Sequence, residues 1–318
     1  MRVLLWHVHG SWTTAFVQGK HTYHVPLTPD RDQWGRGRAA TYPWPDSVVE
    51  VPVDKLSTVD FDVVVLQRPE EFGLVRQWTG RRPGSDIPTV YVEHNTPKGG
   101  VPDTRHPMAD REDLTLVHVT PFNELFWDNG STRTAVIEHG IPDPGQQYTG
   151  ELERIGVAIN EPVRRWRVTG TDLLPRFLDV APVDVYGIGA AALAELMPVT
   201  GYDDPPQPFL HSELARHRLY LHPMRWTSLG LSLLEAMSLG MPVLGLATTD
   251  AHSAVPADAG LLSTSVDELV EAARWLMVDP AAAHRLGARA RTVARARYGL
   301  DRFLSDWDRL LIEVSRHA

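Results

Sequence analysis

The chain has 318 residues, of which 43% are hydrophobic, carries a formal net charge of −9 and contains no cysteine. This length is sufficient for two domains, the acidic balance argues against a general nucleic-acid binder, and the lack of cysteine excludes disulfides, thiolate metal sites and cysteine nucleophiles. Because no run approaches about 18 apolar residues and the N-terminus lacks a secretory core, we expect a cytoplasmic protein with at most peripheral membrane contact.

Short apolar runs alternate with helical or loop segments along the first half of the chain, which predicts βαβ units and a parallel sheet. The runs are continuous, as is typical of strands buried on both faces. The predicted strands are residues 3–8, 48–51, 63–66, 89–92, 116–119 and 134–137. Residues 26–45 are rich in Pro, Gly, Arg and Trp without a period, which predicts a long functional loop.

The turn residues at 140–145, GIPDPG, predict a linker, after which the same alternation restarts. We therefore predict an N-terminal domain at residues 1–143 and a C-terminal domain at 144–299. In the second domain the predicted strands are 155–159, 183–186, 219–221 and 243–246, and the predicted helices are 171–179, 231–239, 266–277 and 281–298. Apolar residues at helical spacing predict a last helix within residues 300–318.

The start of the predicted helix 231–239 is a candidate anion site. A Thr-Ser-Leu-Gly turn ending at Gly230 precedes the helix. The first backbone N–H groups of a helix lack partners, and the helix dipole adds positive potential there. Glu235 lies one turn inside the helix, where its carboxylate can accept hydrogen bonds from a sugar hydroxyl.

This segment resembles the signature of GT-B glycosyltransferases, specifically the large retaining family (family 4-like, or glycosyl transferases group 1). The resemblance lies in residues 229–237, LGLSLLEAM, and residues 240–243, GMPV. It implies two Rossmann-like α/β domains facing each other across a cleft, with the last helix crossing back to the first domain. It also implies an enzyme that moves a hexose from a nucleotide-diphosphate sugar, the donor, to a hydroxyl acceptor with retention of configuration.

The resemblance assigns donor-binding roles to the helix start. Gly230 and Leu231 would donate backbone N–H groups to the diphosphate, Ser232 would lie close, and Glu235 would bind the ribose. Thr227 stands where the family usually has a second, sugar-contacting glutamate. Its hydroxyl can still bond a sugar, although it is neutral and shorter; alternatively Thr227 is an ordinary loop residue.

A basic run follows the predicted strand 155–159. Arg164 falls at the arginine with which this family stabilises the departing diphosphate, but Thr169 stands where a lysine is usual. Arg165 or Arg167 could replace that lysine, because guanidinium binds phosphate bidentately and fixed cations stabilise developing negative charge. The alternative is three solvated arginines on a loop.

Three glycines and a histidine follow other predicted strands. Gly10 would let the backbone approach a ligand closely, and the resemblance places it towards the donor phosphate. His94 stands at a strand's carboxyl end, where open α/β sheets bind ligands; it either contacts a reacting sugar oxygen or is satisfied by its own loop. Gly187 and Gly189 resemble the family's glycines near the nucleotide base.

We expect no cofactor and no essential metal, because the arginines and the helix start would neutralise the diphosphate. A zinc site among His7, His9, His94 and His118 is conceivable, but there is no H-E-x-x-H motif. The arginines of helix 281–298 predict a solvated face or, alternatively, contact with an anionic membrane surface.

A second hypothesis for the function is a degenerate, non-catalytic member of the fold. Such a protein would bind a nucleotide or sugar, or support a partner transferase. Thr227 and Thr169 motivate this alternative, since both stand where the family usually has a charged residue.

Overall fold

The computed structural model describes residues 1–316, which form two compact units. The first unit contains Met1–Gly140 together with the last helix, and the second contains Ile141–Gly299. His317 and Ala318, the end of the predicted helical segment 300–318, lie outside the described residues.

The first unit is a parallel α/β sheet flanked by helices. Its strands are β1 (Arg2–Leu5), β2 (Thr22–Leu27), β3 (Val48–Pro52), β4 (Val63–Leu66), β5 (Thr89–Glu93), β6 (Thr115–His118) and β7 (Thr134–Val136). Its first three helices are α1 (Gly10–Phe16), α2 (Glu71–Thr79) and α3 (Pro121–Phe126). The strand order within residues 1–316 is β3-β2-β1-β4-β5-β6-β7. The strand order therefore reverses between β1 and β4, and the loops after these two strands diverge there.

The six predicted strands of this unit are confirmed with small shifts of their ends, but β2 was not predicted. Its sequence, TYHVPL, contains a histidine and a proline, and the predicted loop began at Pro26. Pro26 lies beyond Leu4↔His24, the last pair of the β1–β2 ladder, so its missing N–H interrupts no bond to β1.

The last helix, α11 (Leu300–Arg316), packs on the first unit, as predicted for the fold class. Phe303 and Trp307 are fully buried, and the Trp307 ring lies edge-on to Phe16 of α1, 4.9 Å between centroids. Asp308 accepts from Lys20 (2.6 Å) and lies 2.9 Å from His21. The apolar face of α11 thus packs on α1, and Asp308 pairs with the segment that follows α1.

The second unit is another parallel sheet, flanked by the remaining helices. Its strands are β8 (Leu152–Ala158), β9 (Val183–Tyr186), β10 (Thr200–Tyr202), β11 (His217–His222), β12 (Val243–Leu246) and β13 (Gly260–Ser263). Its helices are α4 (Pro162–Thr169), α5 (Leu174–Leu178), α6 (Gln207–Leu214), α7 (Leu231–Leu239), α8 (Ala251–Ala254), α9 (Val266–Val278) and α10 (Pro280–Tyr298). Among the described residues the strand order is β10-β9-β8-β11-β12-β13, which reverses between β8 and β11.

Several elements of this unit differ from the sequence-based prediction. The edge strands β10 and β13 and the helix α6 were not predicted, and the predicted helix 171–179 is a short 3₁₀ turn followed by α5. The arginine-rich segment is the helix α4 rather than a loop. Its first residue, Pro162, suits a helix start because proline has no N–H to satisfy there.

The basic face of α10 is largely engaged within the second unit. Arg289 pairs with Asp258 (2.7 Å), Arg291 with Asp143 (2.9 Å), and Arg297 donates to the carbonyl of Ser253 (2.6 Å). Because these arginines already have partners in their own unit, the contacts favour a solvated, ion-paired face over a face that binds an anionic membrane. Within residues 1–316, no helix combines the length and apolarity that crossing a bilayer requires.

Candidate functional site

The switch point of the second unit lies between β8 and β11, which are parallel neighbours whose carboxyl ends share one edge of the sheet. The first turn of α7 is attached to both strands at this edge. The Ser232 hydroxyl accepts from the Tyr220 hydroxyl of β11 (2.9 Å) and lies 3.3 Å from the carbonyl of Ala158 in β8. Open α/β sheets bind ligands at such an edge.

The amino end of α7 presents unused backbone donors. Gly230 precedes the helix in an extended conformation, and the helical bonds begin with Leu233 N–H to the Gly230 carbonyl (3.1 Å). The N–H groups of Leu231 and Ser232 have no acceptor among residues 1–316, and both residues are partly exposed. The predicted helix start with unused backbone donors is therefore present, and anion binding there stays a prediction.

Gly230 is required here by a close approach to a buried histidine. A Cβ on Gly230 would overlap Cε1 of His222 and would lie 3.0 Å from its Nε2. That ring is 2% exposed, and burial lowers its pKa to about 4, so it is neutral and cannot move into solvent. Gly230→Ala is therefore expected to displace the first turn of α7, lowering the free energy of unfolding by about 1–3 kcal/mol and weakening nucleoside diphosphate binding.

Chemical denaturation and calorimetry measure these two effects. The matched control is Gly73→Ala, because Gly73 lies inside α2 and a Cβ added to it would meet no atom within 4 Å. Alanine is the better helix former there, so this control should be neutral or slightly stabilising. If Gly230→Ala left both the stability and the affinity unchanged, the proposed close packing of Gly230 against the His222 ring would be wrong.

The three arginines of α4 differ in their partners. Arg164 is exposed and forms a bidentate pair with Glu161, 2.9 Å from Nε to Oε1. Arg167 is exposed and pairs with Asp172 at 3.3 Å. Arg165 is partly buried and forms no salt bridge within residues 1–316. Burial, followed by repulsion from Arg164, lowers its pKa, and attraction by Glu161 opposes this shift. It nevertheless stays charged, so Arg165 is the arginine free to bind an anion.

The position of α4 is set by two neighbouring loops. At its start, Glu161 N–H donates to the carbonyl of Ile188 (2.6 Å), and Ile188 N–H donates to Oδ1 of Asn160 (3.0 Å). At its end, Arg225 N–H donates to the carbonyl of Val168 (2.9 Å). The helix therefore begins against the loop after β9 and ends against the loop after β11.

Two threonines stand where the family that this segment resembles usually has a charged residue. They differ in whether their hydroxyls can contact a ligand. Thr169 is fully buried, and its hydroxyl lies 2.9 Å from that of Thr171, so it cannot reach a ligand. Thr227 is partly exposed on the turn before Gly230, and its hydroxyl has no partner in the described chain. Only Thr227 remains a candidate for ligand contact.

Gly187 and Gly189 lie on the loop after β9. Gly187 has φ 134° and donates its N–H to the carbonyl of Tyr202 (3.0 Å), and a Cβ there would overlap the Ile159 carbonyl oxygen. Gly189 has φ 77° and donates to Asp203 Oδ1 (2.5 Å). Backbone packing alone thus accounts for Gly187, and its contact with a base stays a prediction.

Glu235 lies on α7 and is only 6% exposed. Its Oε1 accepts from Nε2 of Gln207 (3.1 Å), and its Oε2 lies 3.6 Å from Nε2 of His211. A carboxylate has about four acceptor positions, so these contacts leave capacity for a ligand hydroxyl. Gln207 and His211 come from α6, which sequence reasoning did not identify, so these two neighbours of Glu235 were missed.

The first unit gathers polar side chains at its own switch point. His94, directly after β5, has its ring 4.1 Å from that of His9 and 5.0 Å from that of Trp12. Its Nε2 lies 3.0 Å from Oε1 of Gln67, which directly follows β4. Burial lowers the pKa of His94 well below its usual value, and repulsion from His9 and His139 adds to this, so the ring is neutral near pH 7.

Residues 28–45 of the predicted loop cover the turn after β1. The Tyr42 ring occupies the space beside Gly10, 2.5 Å from where a Cβ would lie, and the Trp44 ring lies 4.8 Å from that of His7. Trp44 also donates to the Thr14 hydroxyl (2.8 Å). Gly10 therefore admits an aromatic side chain of its own chain, and whether it also approaches a phosphate stays a prediction.

The conceivable zinc site gains no support from side-chain positions. Within residues 1–316, no three His, Asp or Glu side chains are arranged to hold a metal ion. His118 lies 3.0 Å from Oδ1 of Asn129 through its Nε2, and burial lowers its pKa to about 4.

Residues 198–293 match the model of the family glycosyl transferases group 1. This segment contains the turn, helix and strand on which the resemblance was based. No match was found among curated protein sequences.

Three solved structures illustrate the fold similarity. Sucrose-phosphate synthase from Thermosynechococcus elongatus is 14% identical with a TM-score of 0.69, covering 100% of both chains. HepE from Anabaena in complex with UDP-glucose is 15% identical with a TM-score of 0.69, covering 98% of this chain and 100% of HepE. A TarM variant from S. aureus in complex with UDP, alpha-GlcNAc-glycerol and fondaparinux is 15% identical with a TM-score of 0.62, covering 81% of this chain and 58% of TarM.

At these identities the structural similarity establishes the fold, and the predicted fold class of two Rossmann-like α/β units is confirmed. The matched family segment and this shared fold together support a glycosyltransferase of the GT-B type.

Proposed function

We propose that this protein moves a hexose from a nucleotide-diphosphate sugar to a hydroxyl acceptor, with retention of the anomeric configuration. The observation that carries the proposal is the open start of α7 in the second unit, in a segment matched to glycosyl transferases group 1. There the unused amides of Leu231 and Ser232 lie at the start of α7, at the sheet's switch point. Arg165 lies on α4, the helix that follows β8, and forms no salt bridge within residues 1–316.

The donor binds on the second unit in this proposal. Its diphosphate accepts from the amides of Leu231 and Ser232 and from Arg165, and its ribose hydroxyls donate to Glu235. The base lies near Gly187 and Gly189, as the resemblance implies. Complexes of HepE with UDP-glucose and of TarM with UDP support a nucleotide donor by analogy with proteins of the same fold.

The chemistry follows from where charge develops. As the bond between the sugar and the diphosphate breaks, the leaving oxygen gains negative charge, which preorganised N–H donors and a fixed guanidinium stabilise. We assign no carboxylate nucleophile, so the acceptor hydroxyl attacks the anomeric carbon on the face from which the diphosphate departs and passes its proton to an oxygen of the departing diphosphate. Attack on that face gives retention. His94 is the proposed contact of a reacting sugar oxygen, as the resemblance implies. Because protein groups supply the positive charge, we propose that no metal ion is required.

The proposal is tested first by thermal shift with UDP-, GDP-, ADP- and TDP-glucose. A ligand that binds only the folded state at 100 times its Kd adds about 2.7 kcal/mol of apparent stability, so one donor should raise the melting temperature clearly. That donor should then be turned over with EDTA present, releasing the nucleoside diphosphate, and NMR of the product should show the donor's anomeric configuration. The absence of any shift and any release would refute the proposal.

A non-catalytic nucleotide-binding protein is the second candidate. The burial of Thr169 favours it, because no cation occupies the position of the family's lysine. This candidate predicts a thermal shift with a nucleotide but no release of nucleoside diphosphate from any donor, with or without a saccharide acceptor. The same pair of measurements therefore separates the two functions.

A further inference from the structure

Gln67 links three strands at the switch point of the first unit. It directly follows β4 and is 5% exposed. Its Nε2 donates to the backbone carbonyl of Trp6, which directly follows β1 (2.9 Å), and its Oε1 lies 3.0 Å from Nε2 of His94, which directly follows β5. The side chain therefore has a partner at each end.

These partners determine which atom of the amide faces which neighbour. A backbone carbonyl oxygen can only accept, so the NH₂ group of Gln67 must face Trp6. Its carbonyl oxygen must then face His94. Because that oxygen can only accept, Nε2 of His94 must carry the hydrogen in this contact.

The other ring nitrogen of His94 is consequently an acceptor. The ring is neutral near pH 7, because burial and the nearby His9 and His139 disfavour its charged form. With the hydrogen on Nε2, a neutral imidazole has a lone pair on Nδ1. Within residues 1–316, Nδ1 of His94 has no hydrogen-bond partner.

The position of Gln67 is itself fixed by a buried acid. Glu71 has no exposed surface, and its Oε2 accepts from the backbone N–H of Gln67 (2.7 Å) and of Arg68 (3.2 Å). Its Oε1 accepts from Nε of Arg68 (2.7 Å). The turn after β4 is therefore held at both its backbone and its side chains, which leaves Gln67 little freedom to rotate away from His94.

We propose that Gln67 is a positioning residue that holds His94 with its proton on Nε2, so that Nδ1 accepts a hydrogen bond from a hydroxyl of the bound sugar substrate. This inference rests on the proposed glycosyl transfer for its second half. Its first half concerns the free protein and stands independently of any activity. Gln67 acts only through His94 and does not itself contact the substrate.

The tautomer is tested on the free, full-length protein by long-range ¹⁵N–¹H NMR of the histidine rings. The His94 signals are assigned by their loss in His94→Asn. The expected pattern at pH 7.5 has a protonated Nε2 and an unprotonated Nδ1. A protonated Nδ1, or a charged ring at this pH, overturns the proposal whether or not any nucleotide sugar is turned over.

The role in transfer is tested with Gln67→Glu, assayed against pH. A carboxylate beside Nε2 stabilises imidazolium, so the pKa of His94 rises despite the opposing effects of His9 and His139. Above the raised pKa the ring is neutral and active, and below it Nδ1 is protonated and cannot accept. The turnover of Gln67→Glu should therefore fall as the pH is lowered from 8 to 6, whereas the turnover of the wild type should not. The KM for the donor should change less than twofold.

The matched control is Gln77→Glu, the same change at an exposed position of α2, which should leave the profile flat. Gln67→Leu removes the hydrogen bonds to both the Trp6 carbonyl and His94, and it should lower kcat about tenfold at every pH. If Gln67→Glu has the wild-type profile and rate, Gln67 does not act through His94. If the wild type neither binds nor turns over a nucleotide sugar, the proposed function fails while the tautomer result stands.

Discussion

Arg165→Met is expected to lower turnover of the nucleotide sugar by about 10²- to 10³-fold, the cost of removing one preorganised donor from a developing oxyanion. The guanidinium is partly buried and forms no salt bridge within residues 1–316, although Glu161 attracts it. Holding a cation in this state is unfavourable for the free protein, and a bound diphosphate would compensate for it. Methionine keeps most of the side-chain volume and removes the charge.

The same substitution should leave the melting temperature unchanged or raise it, since a partly buried charge without a salt bridge is removed. Single-turnover kinetics and thermal unfolding measure the two effects. Arg164→Met is the matched control: Arg164 is exposed and already paired with Glu161, so its loss should reduce turnover much less. Equal losses in both variants, or a collapse of stability in Arg165→Met, would show that Arg165 is structural.

Glu235→Ala is expected to weaken nucleoside diphosphate binding about 10- to 100-fold, because hydrogen bonds to a charged group contribute about 1.5–3 kcal/mol. The carboxylate is nearly buried and has only Gln207 and His211 as polar side-chain partners within residues 1–316, so it retains acceptor positions for ribose hydroxyls. Isothermal calorimetry measures the loss directly.

A comparison of nucleotides separates ribose binding from a structural role. The wild type should prefer a nucleoside diphosphate over its 2′-deoxy form, and Glu235→Ala should not distinguish them. Gln207→Ala is the control, since it removes one existing partner of Glu235 without removing the carboxylate. Unchanged affinity in Glu235→Ala, or retained discrimination between the two sugars, would exclude Glu235 from the ribose site.

The predictions for Arg165 and Glu235 depend on α4 and α7, and only α7 could be predicted from the sequence. The start of α7 could be predicted because a helix start depends on local residues, here a glycine turn followed by an apolar run. The distinction among Arg164, Arg165 and Arg167 could not. Although Glu161 is only three residues from Arg164, their pairing depends on the turn by which Glu161 enters α4, and no helix was predicted over this segment.

The sequence by itself determined the succession of buried strands, the helix α7 with its flanking glycines, and the apolar face of α11. Each of these depends on residue types within one or two turns or one strand, where hydrophobic period and turn chemistry act. The strand β2 was not predicted because its segment contains a histidine and a proline, and the proline is tolerated because it lies beyond the last residue pair with β1.

Only the tertiary structure decided which side chains meet. Gln67 and His94 are 27 residues apart in the chain, and Gln207 and Glu235 are 28 apart, yet each pair is in hydrogen-bond contact. The order of parallel strands brings β4 beside β5, and the packing of α6 against α7 brings Gln207 to Glu235. Such order is set by burying the faces of whole elements against one another, which no local pattern of residues records.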